Sequence, residues 1–303
     1  MPVRGPSSER EVEHGDEGST VLAASVVVPT FQRPDRLAAC LDALRAQDAA
    51  AAGYAFEVVI VDDGSEPRVD PALCADPGKA HAIRLLHQAN AGPAAARNRG
   101  AHEARGRLLA FTDDDCRPAP GWLSALIAAS AAEEAALLGG RTVNGETDNV
   151  FSAASQDLIG FLDAEDQRYF ASSNIACARE AFFALGGFAS GFPLAGGEDR
   201  DLGLRWGASG RPLRRVPDAV VAHHHALTPR GFWRQHANYG RGARHLRARG
   251  AEGGGHAFAS LAWYAALVSW PLRTRQERGW RRAGLLAAAQ LATAWGFATP
   301  NRR

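Results

Sequence analysis

A chain of 303 residues that is 46% hydrophobic and 22% charged can bury a large core, and this composition excludes disorder of the whole chain. Its 34 basic and 33 acidic groups leave a formal charge of +1, so the total gives no ground for a nucleic-acid binder. The sum conceals two opposed parts: residues 1–201 carry 17 basic and 30 acidic side chains, whereas residues 202–303 carry 17 and 3.

The opening stretch, MPVRGPSSEREVEHGDEGST, is polar and has no apolar h-region, so it does not read as a signal peptide. Residues 1–22 are expected to be a disordered leader. From there, short β-branched runs alternate with Ala/Leu-rich stretches. Strands are predicted over 24–30, 56–65, 82–88 and 107–115, with helices over 33–47 and 93–105 between them. This alternation implies parallel β-α-β units, whose ligands bind at the carboxyl ends of the strands. Thr30, Asp62–Asp63 and Asp113–Asp115 close three of these strands and should converge on one crevice. The second half is less regular. Strands are predicted over 171–178 and 213–225, and helices over 198–210 and 229–249. Apolar segments follow at 256–272 and 283–299, both short of the ~20 residues that cross a bilayer. The cysteines Cys40, Cys74, Cys116 and Cys177 lack C-x-x-C spacing, which favours reduced thiols in a cytosolic protein over disulfides or zinc.

The residues that point to chemistry are carboxylates. Asp113, Asp114 and Asp115 repel one another unless a cation sits between them, and Mg²⁺ or Mn²⁺ binds through one or two carboxylates plus substrate phosphates. The bland reading is a solvated acidic turn, which the second carboxylate pair at Asp62–Asp63 makes less apt. In GGEDRDLGLRW (196–206), Gly197 and its neighbour allow close backbone approach, and Glu198–Asp199 opens a helix whose dipole favours their ionised forms. An anionic Asp beside a pocket can take a proton from a hydroxyl nucleophile; ordinary acid enrichment of a first helical turn is the alternative.

In order, SVVVPTFQRPDRLAACLDAL, VVIVDDGS, NAGPAAARNRG, LLAFTDDDC and GGEDRDLGLRW resemble the family-2 glycosyltransferases over roughly residues 24–240. The resemblance implies a GT-A fold, a Rossmann-like mixed but mostly parallel α/β sheet flanked by helices. It also implies direct displacement with inversion at the sugar's anomeric centre, a nucleotide-sugar donor and Mn²⁺ or Mg²⁺. Pro29 and Thr30 would line the base and ribose pocket, with Arg33 beside them. Asp63 would bond the base, with Asp62 supporting its loop. Asp113 and Asp115 would form a D-x-D at the ribose and metal, with Asp114 projecting differently near the substrate. Arg97 and Asn98 match the helix that buttresses this loop, Asp199 matches the base, and Glu198 its partner. A third metal ligand is expected among His223, His224 and His225, with His225 preferred because it stands nearest the strand end. Acceptor choice is expected from residues 140–195, where DNVFSAASQDLIGF and SSNIA would form pocket walls.

Residues 23–228 are thus expected to be the catalytic domain and 229–303 a helical C-terminal extension. The Q-x-x-R-W motif of processive relatives is absent from 232–246, although Arg241 could close over an anionic group, the alternative being a basic surface helix. The Arg- and Trp-bearing segment 229–299 suits either a membrane surface, at the cytoplasmic face of the cell membrane, or packing and homodimer contact. Nucleic acid is not an expected partner. Two rival functions remain, a sugar nucleotidyltransferase and a non-catalytic nucleotide-sugar binder. PTFQRPD lacks the Gly-rich loop of the first, and Asp199 has no use in the second. A dinucleotide-dependent oxidoreductase would need G-x-G-x-x-G after the first strand, which is absent.

Overall fold

Val26, Val27 and Val28 have no exposed surface and belong to a strand, β1 (Ala24–Thr30), whose alternate side chains serve two different cores. The computed structural model describes residues 22–75, 81–164, 168–192, 196–250 and 260–299. All but the last residue of the expected leader, and the first residues of the apolar segment 256–272, lie outside these. After β1 come α1 (Pro34–Arg45), β2 (Phe56–Asp62), β3 (Ala82–His87), α2 (Pro93–Glu103), β4 (Leu108–Thr112) and β5 (Cys116–Pro118). Then follow α3 (Trp122–Ala132), β6 (Leu137–Asn144), α4 (Val150–Ala164), β7 (Asn174–Ala178), α5 (Arg179–Ala184), α6 (Glu198–Ala208) and β8 (Leu213–His223). The chain continues through α7 (Pro229–Ala248), α8 (Leu261–Arg273) and α9 (Gly279–Ala298).

The eight strands form one sheet in the order β3-β2-β1-β4-β7-β6-β8-β5. Only β7 and β5 run against the rest, so the sheet is the mixed, mostly parallel one expected. On one face Val26, Val28, Val58 and Ile60 pack against Leu37, Leu41, Trp122 and Leu126 of α1 and α3. On the other, Val27, Leu109 and Phe111 pack against Ala101, Phe182, Leu202 and Trp206 of α2, α5 and α6.

Strand β6 escapes sequence reading because of Gly139–Gly140, whose composition argues against a strand. The glycines are required by their neighbours. A Cβ on Gly139 would lie 2.1 Å from the Phe170 ring, and one on Gly140 would lie 2.2 Å from the Ala219 carbonyl. The register between β6 and β8 also jumps there, from Gly140–Val216 to Arg141–Val220, which accommodates Pro217 inside β8.

The C-terminal helices pack closely on one another, and through α4 on the rest of the chain. A Cβ on Gly240 of α7 would lie 1.9 Å from the Thr293 carbonyl, and one on Gly296 of α9 would lie 1.8 Å from that of Ala237. Helix α9 is also fixed to α4 by the buried pair Arg282–Asp157, and Phe161 of α4 packs edge-on against Trp263 and Trp270 of α8. Among the described residues no helix is long and apolar enough to cross a membrane.

Candidate active site

The carboxyl ends of β1, β2 and β4 meet side by side. Thr30, opposite Asp62 in register, donates its hydroxyl to Asp114 at 2.8 Å. Arg33, at the start of α1, forms ion pairs with Asp114 (2.8 Å) and Asp115 (3.0 Å), and Arg36 reaches Asp115 at 3.1 Å. Burial pushes Asp114 up to about 7 against the pull of Arg33. Pro29 is buried within β1 beside Thr30.

Asp62 turns inward, accepting from the amides of Ser65 (2.9 Å) and Val69 (3.1 Å) and contacting His87 at 3.1 Å. Burial opposes its charge, but these hydrogen bonds outweigh that and lower its pKa. Asp63 accepts from Gln88 (2.7 Å) and from the amides of Ala91 (2.9 Å) and Gly92 (2.8 Å), which ties β2 to the loop before α2. Asn98 makes a two-way bond with the backbone of Phe188, at 2.7 and 2.9 Å.

The three adjacent aspartates point to three different partner sets. Asp113 pairs with Arg97 at 2.6 Å, and the same guanidinium reaches Glu198 at 3.3 Å. Asp115 is held by the antiparallel pairing of β5 with β8, which sets Cys116 opposite His223 and brings His223 Nε2 within 3.3 Å of the carboxylate. Burial works against Asp115, yet His223 and Arg33 keep it well below the usual carboxylate range. Burial likewise disfavours charge on His223, but the Asp115 bond prevails and raises its pKa. His225 stacks on His223 with ring centroids 4.9 Å apart and is pushed down to about 4 by burial and by His223. His224 turns the other way, to Glu146 at 3.3 Å.

Asp115, Cys116 and His223 offer donor atoms within 4.8 Å of one another. A carboxylate and an imidazole suit Mn²⁺ or Mg²⁺, and Arg33 and Arg36, which pair with Asp115, would have to release it to a cation. Cys116 fits less well, because burial raises its thiol far above neutrality. The structure therefore brings His223, rather than the expected His225, against Asp115, and it sets Asp113 apart on Arg97.

Asp199 stands in the first turn of α6. The turn before it is built from Gly196 (φ +129°) and Gly197 (φ +109°), a region in which side chains are strained. The Gly196 amide donates to Glu198 at 2.8 Å, which fixes Glu198 toward Arg97 and leaves Asp199 facing a cleft of ≈ 150 Å³. Burial and the Glu198 charge raise Asp199, to about 6, against the opposing pull of Arg200.

His223 and His225 line the same cleft, as do Ser155, Gln156, Leu158 and Ile159 of α4. Opposite α4 stand Gln235, His236 and Tyr239 of α7, which sequence reasoning missed. Gln235 donates to the Tyr239 hydroxyl at 2.6 Å, an i,i+4 pair on one helix face. Gln235 Oε1 and His236 Nδ1 are buried with no hydrogen-bond partner. Burial lowers His236 to about 4 and raises Tyr239 to about 12, so both are neutral near pH 7. The signal lay in the polar i, i+1, i+4 set on an otherwise amphipathic helix. Arg241 bonds to Asn238 at 2.8 Å and does not line the cleft.

A sequence profile described as glycosyl transferase family 2 matches residues 25–184. The pre-mycofactocin glycosyltransferase of Mycobacterium tuberculosis is 31% identical over 237 residues, covering 74% of this chain and 47% of that protein. The hyaluronan synthase of Pasteurella multocida is 26% identical over 242 residues, covering 67% of this chain and 24% of the synthase. The chain thus spans less than half the length of these curated relatives. Among solved structures, the mannosyltransferase PcManGT from Pyrobaculum calidifontis, in complex with GDP-Man and Mn²⁺, superposes with TM-score 0.58 at 21% identity. It covers 90% of this chain and 87% of its own. GalNAc-T7 with UDP, GalNAc and Mn²⁺ gives TM-score 0.54 at 19% identity, covering 74% of this chain and 48% of its own. At these identities the likeness is one of fold.

Proposed function

Because the chain belongs to glycosyl transferase family 2, we propose that it moves a sugar from a nucleoside-diphosphate sugar to a hydroxyl acceptor, with inversion and with a divalent cation. The observation that carries this reading is Asp199. It is a carboxylate with a raised pKa, set by a two-glycine turn into a cleft that also contains His223, the partner of Asp115. Nucleotidyl transfer gives such a base no comparable role, and a non-catalytic binder gives it none.

In the reaction, Asp199 takes the proton of the acceptor hydroxyl as that oxygen attacks the anomeric carbon. The bond from that carbon to the diphosphate oxygen breaks, and its electron pair leaves on the nucleoside diphosphate. One base suffices, and no covalent intermediate forms. Glu198 stays on Arg97, holding the α6 turn against Asp113. The acceptor lies between α4 and α7, its hydroxyl toward Asp199. The donor lies along Pro29, Thr30, Asp63 and the D-x-D of Asp113 and Asp115. Asp115 and His223 would hold Mn²⁺ or Mg²⁺, which would neutralise the departing diphosphate, while Asp113 stays on Arg97 and His225 stacks on His223. The reading extends to an enzyme of the cytoplasm that works at the inner face of the cell membrane.

The test is Asp199→Asn, assayed for donor binding and for transfer or donor hydrolysis across GDP-, UDP- and dTDP-sugars. Retained binding with lost turnover is expected. Wild-type turnover would remove Asp199 from its role.

A further inference from the structure

Helices α8 and α9 lie over α4, which they meet through Trp263, Leu267, Leu286 and Arg282. The sides turned away from α4 form two parallel apolar stripes. On α9, Trp280 (69% exposed), Leu291 (66%) and Trp295 (57%) share one face with the small residues Gly284, Ala287, Ala294 and Ala298. On α8, Leu261 (88%) and Leu272 (54%) share a face with Ala265. At helical spacing, no charged side chain interrupts either stripe. Soluble faces are not built this way, since exposed large apolar groups are ordinarily single.

The charge is confined to one end. Arg273, Arg275, Arg278 and Arg281 are all exposed at the turn between the two helices, with Glu277 as the only acid there. Arg281 lies over the Trp280 ring at 4.9 Å. An apolar face that carries tryptophans and is edged by arginines matches the interface of an anionic bilayer: rings and leucines enter the acyl boundary while guanidinium groups meet lipid phosphates. A second copy of this same face would instead set two arginine clusters near each other or leave them idle.

We infer that the outer face of the α8–α9 hairpin is a docking surface for anionic phospholipid, which rests on its geometry and sharpens the membrane-side part of the function proposed above. The apolar stripes enter the interface and the hairpin turn contacts headgroup phosphates. Helix α7 takes little part, because its glycine face is closed by α9. The other side of α4 lines the cleft through Ser155, Gln156 and Ile159, so docking leaves α4 and the hairpin between the cleft and the lipid surface.

The test is flotation of the full chain with vesicles of phosphatidylcholine alone, or of phosphatidylcholine and phosphatidylglycerol in equal parts. The wild type should float with the anionic vesicles and not with the neutral ones. A variant carrying Trp280→Glu, Leu291→Glu and Trp295→Glu should lose vesicle affinity by more than about tenfold, and Arg273→Gln with Arg281→Gln should weaken binding at low ionic strength and matter less at raised salt, where the wild-type attraction is already screened. These positions are exposed, and binding of a nucleoside diphosphate to each variant reports the fold and the donor site separately from the lipid result. Absence of wild-type flotation at low ionic strength overturns the inference. So does a homodimer that the triple variant dissociates without any lipid binding, which would make the face a contact between copies.

Discussion

A substitution on α7, remote in sequence from the proposed base, should disable it. A Cβ on Gly242 would stand 2.0 Å from the Gly196 carbonyl oxygen and 2.8 Å from its carbon. Ordinary carbon–oxygen contacts begin near ~3.3 Å, so Gly242→Ala must part the two backbones by more than about 1 Å. The obstruction is main chain, which cannot rotate aside as a side-chain tip can. Gly196 donates to Glu198, and Asp199 follows directly, so the displacement passes into the turn that aims the carboxylate. A misplacement of that size costs on the order of a hundredfold in kcat, with a loss of about 1–3 kcal/mol in stability from overpacking. The assay is transfer or donor hydrolysis, with donor affinity by calorimetry and stability by thermal melting. Gly284→Ala on α9, where nothing lies within 4 Å, is the control; it should leave kcat unchanged and stabilise by about 0.4–1 kcal/mol. A folded Gly242→Ala enzyme with wild-type kcat would refute the argument that this contact positions the base.

The pH dependence follows from the raised pKa of Asp199. The base works unprotonated, so kcat should fall as the pH drops through about 6, rather than near the ordinary value of about 4; an acid limb unmoved by Glu198→Gln would count against the stated cause. Arg97→Met should lower stability by about 3–5 kcal/mol, because it strands Glu198 and Asp113 without a cation, and thermal denaturation measures this. Chelation should abolish turnover and Mn²⁺ should restore it, with His223→Ala raising the concentration required; full activity in chelator would dismiss the cation.

Much of the fold is legible in the sequence where one rule dominates. The runs ASVVVPT and FEVVIVD are β-branched and continuous because both faces of β1 and β2 are covered, and their terminal polar residues mark the ligand edge. Strand β6 is illegible because its glycines answer to Phe170 and Ala219, neighbours that only the folded chain supplies. The carboxylate clusters stand out as motifs, but their partners do not. That Arg97 bridges Asp113 and Glu198, 85 positions apart from each other, depends on how α2 packs across β1 and β2. Alternation puts His223 and His225 on one face, but only the pairing of Cys116 with His223 decides which of them meets Asp115. The wall of Gln235, His236 and Tyr239 is visible as a spacing, but nothing local aims it at α4.

The glycine contacts of α7 bear on what counts as the smallest working piece of this protein. Gly242 leans on the Gly196 carbonyl on one side, while Gly240 and Ala237 lean on α9 on the other. No side chain cushions either junction. A chain cut after β8 would keep every strand of the sheet and both aspartate clusters. It would lose one wall of the cleft and the backstop of the turn that aims Asp199. For expression or redesign, a piece that keeps these contacts therefore runs through α9.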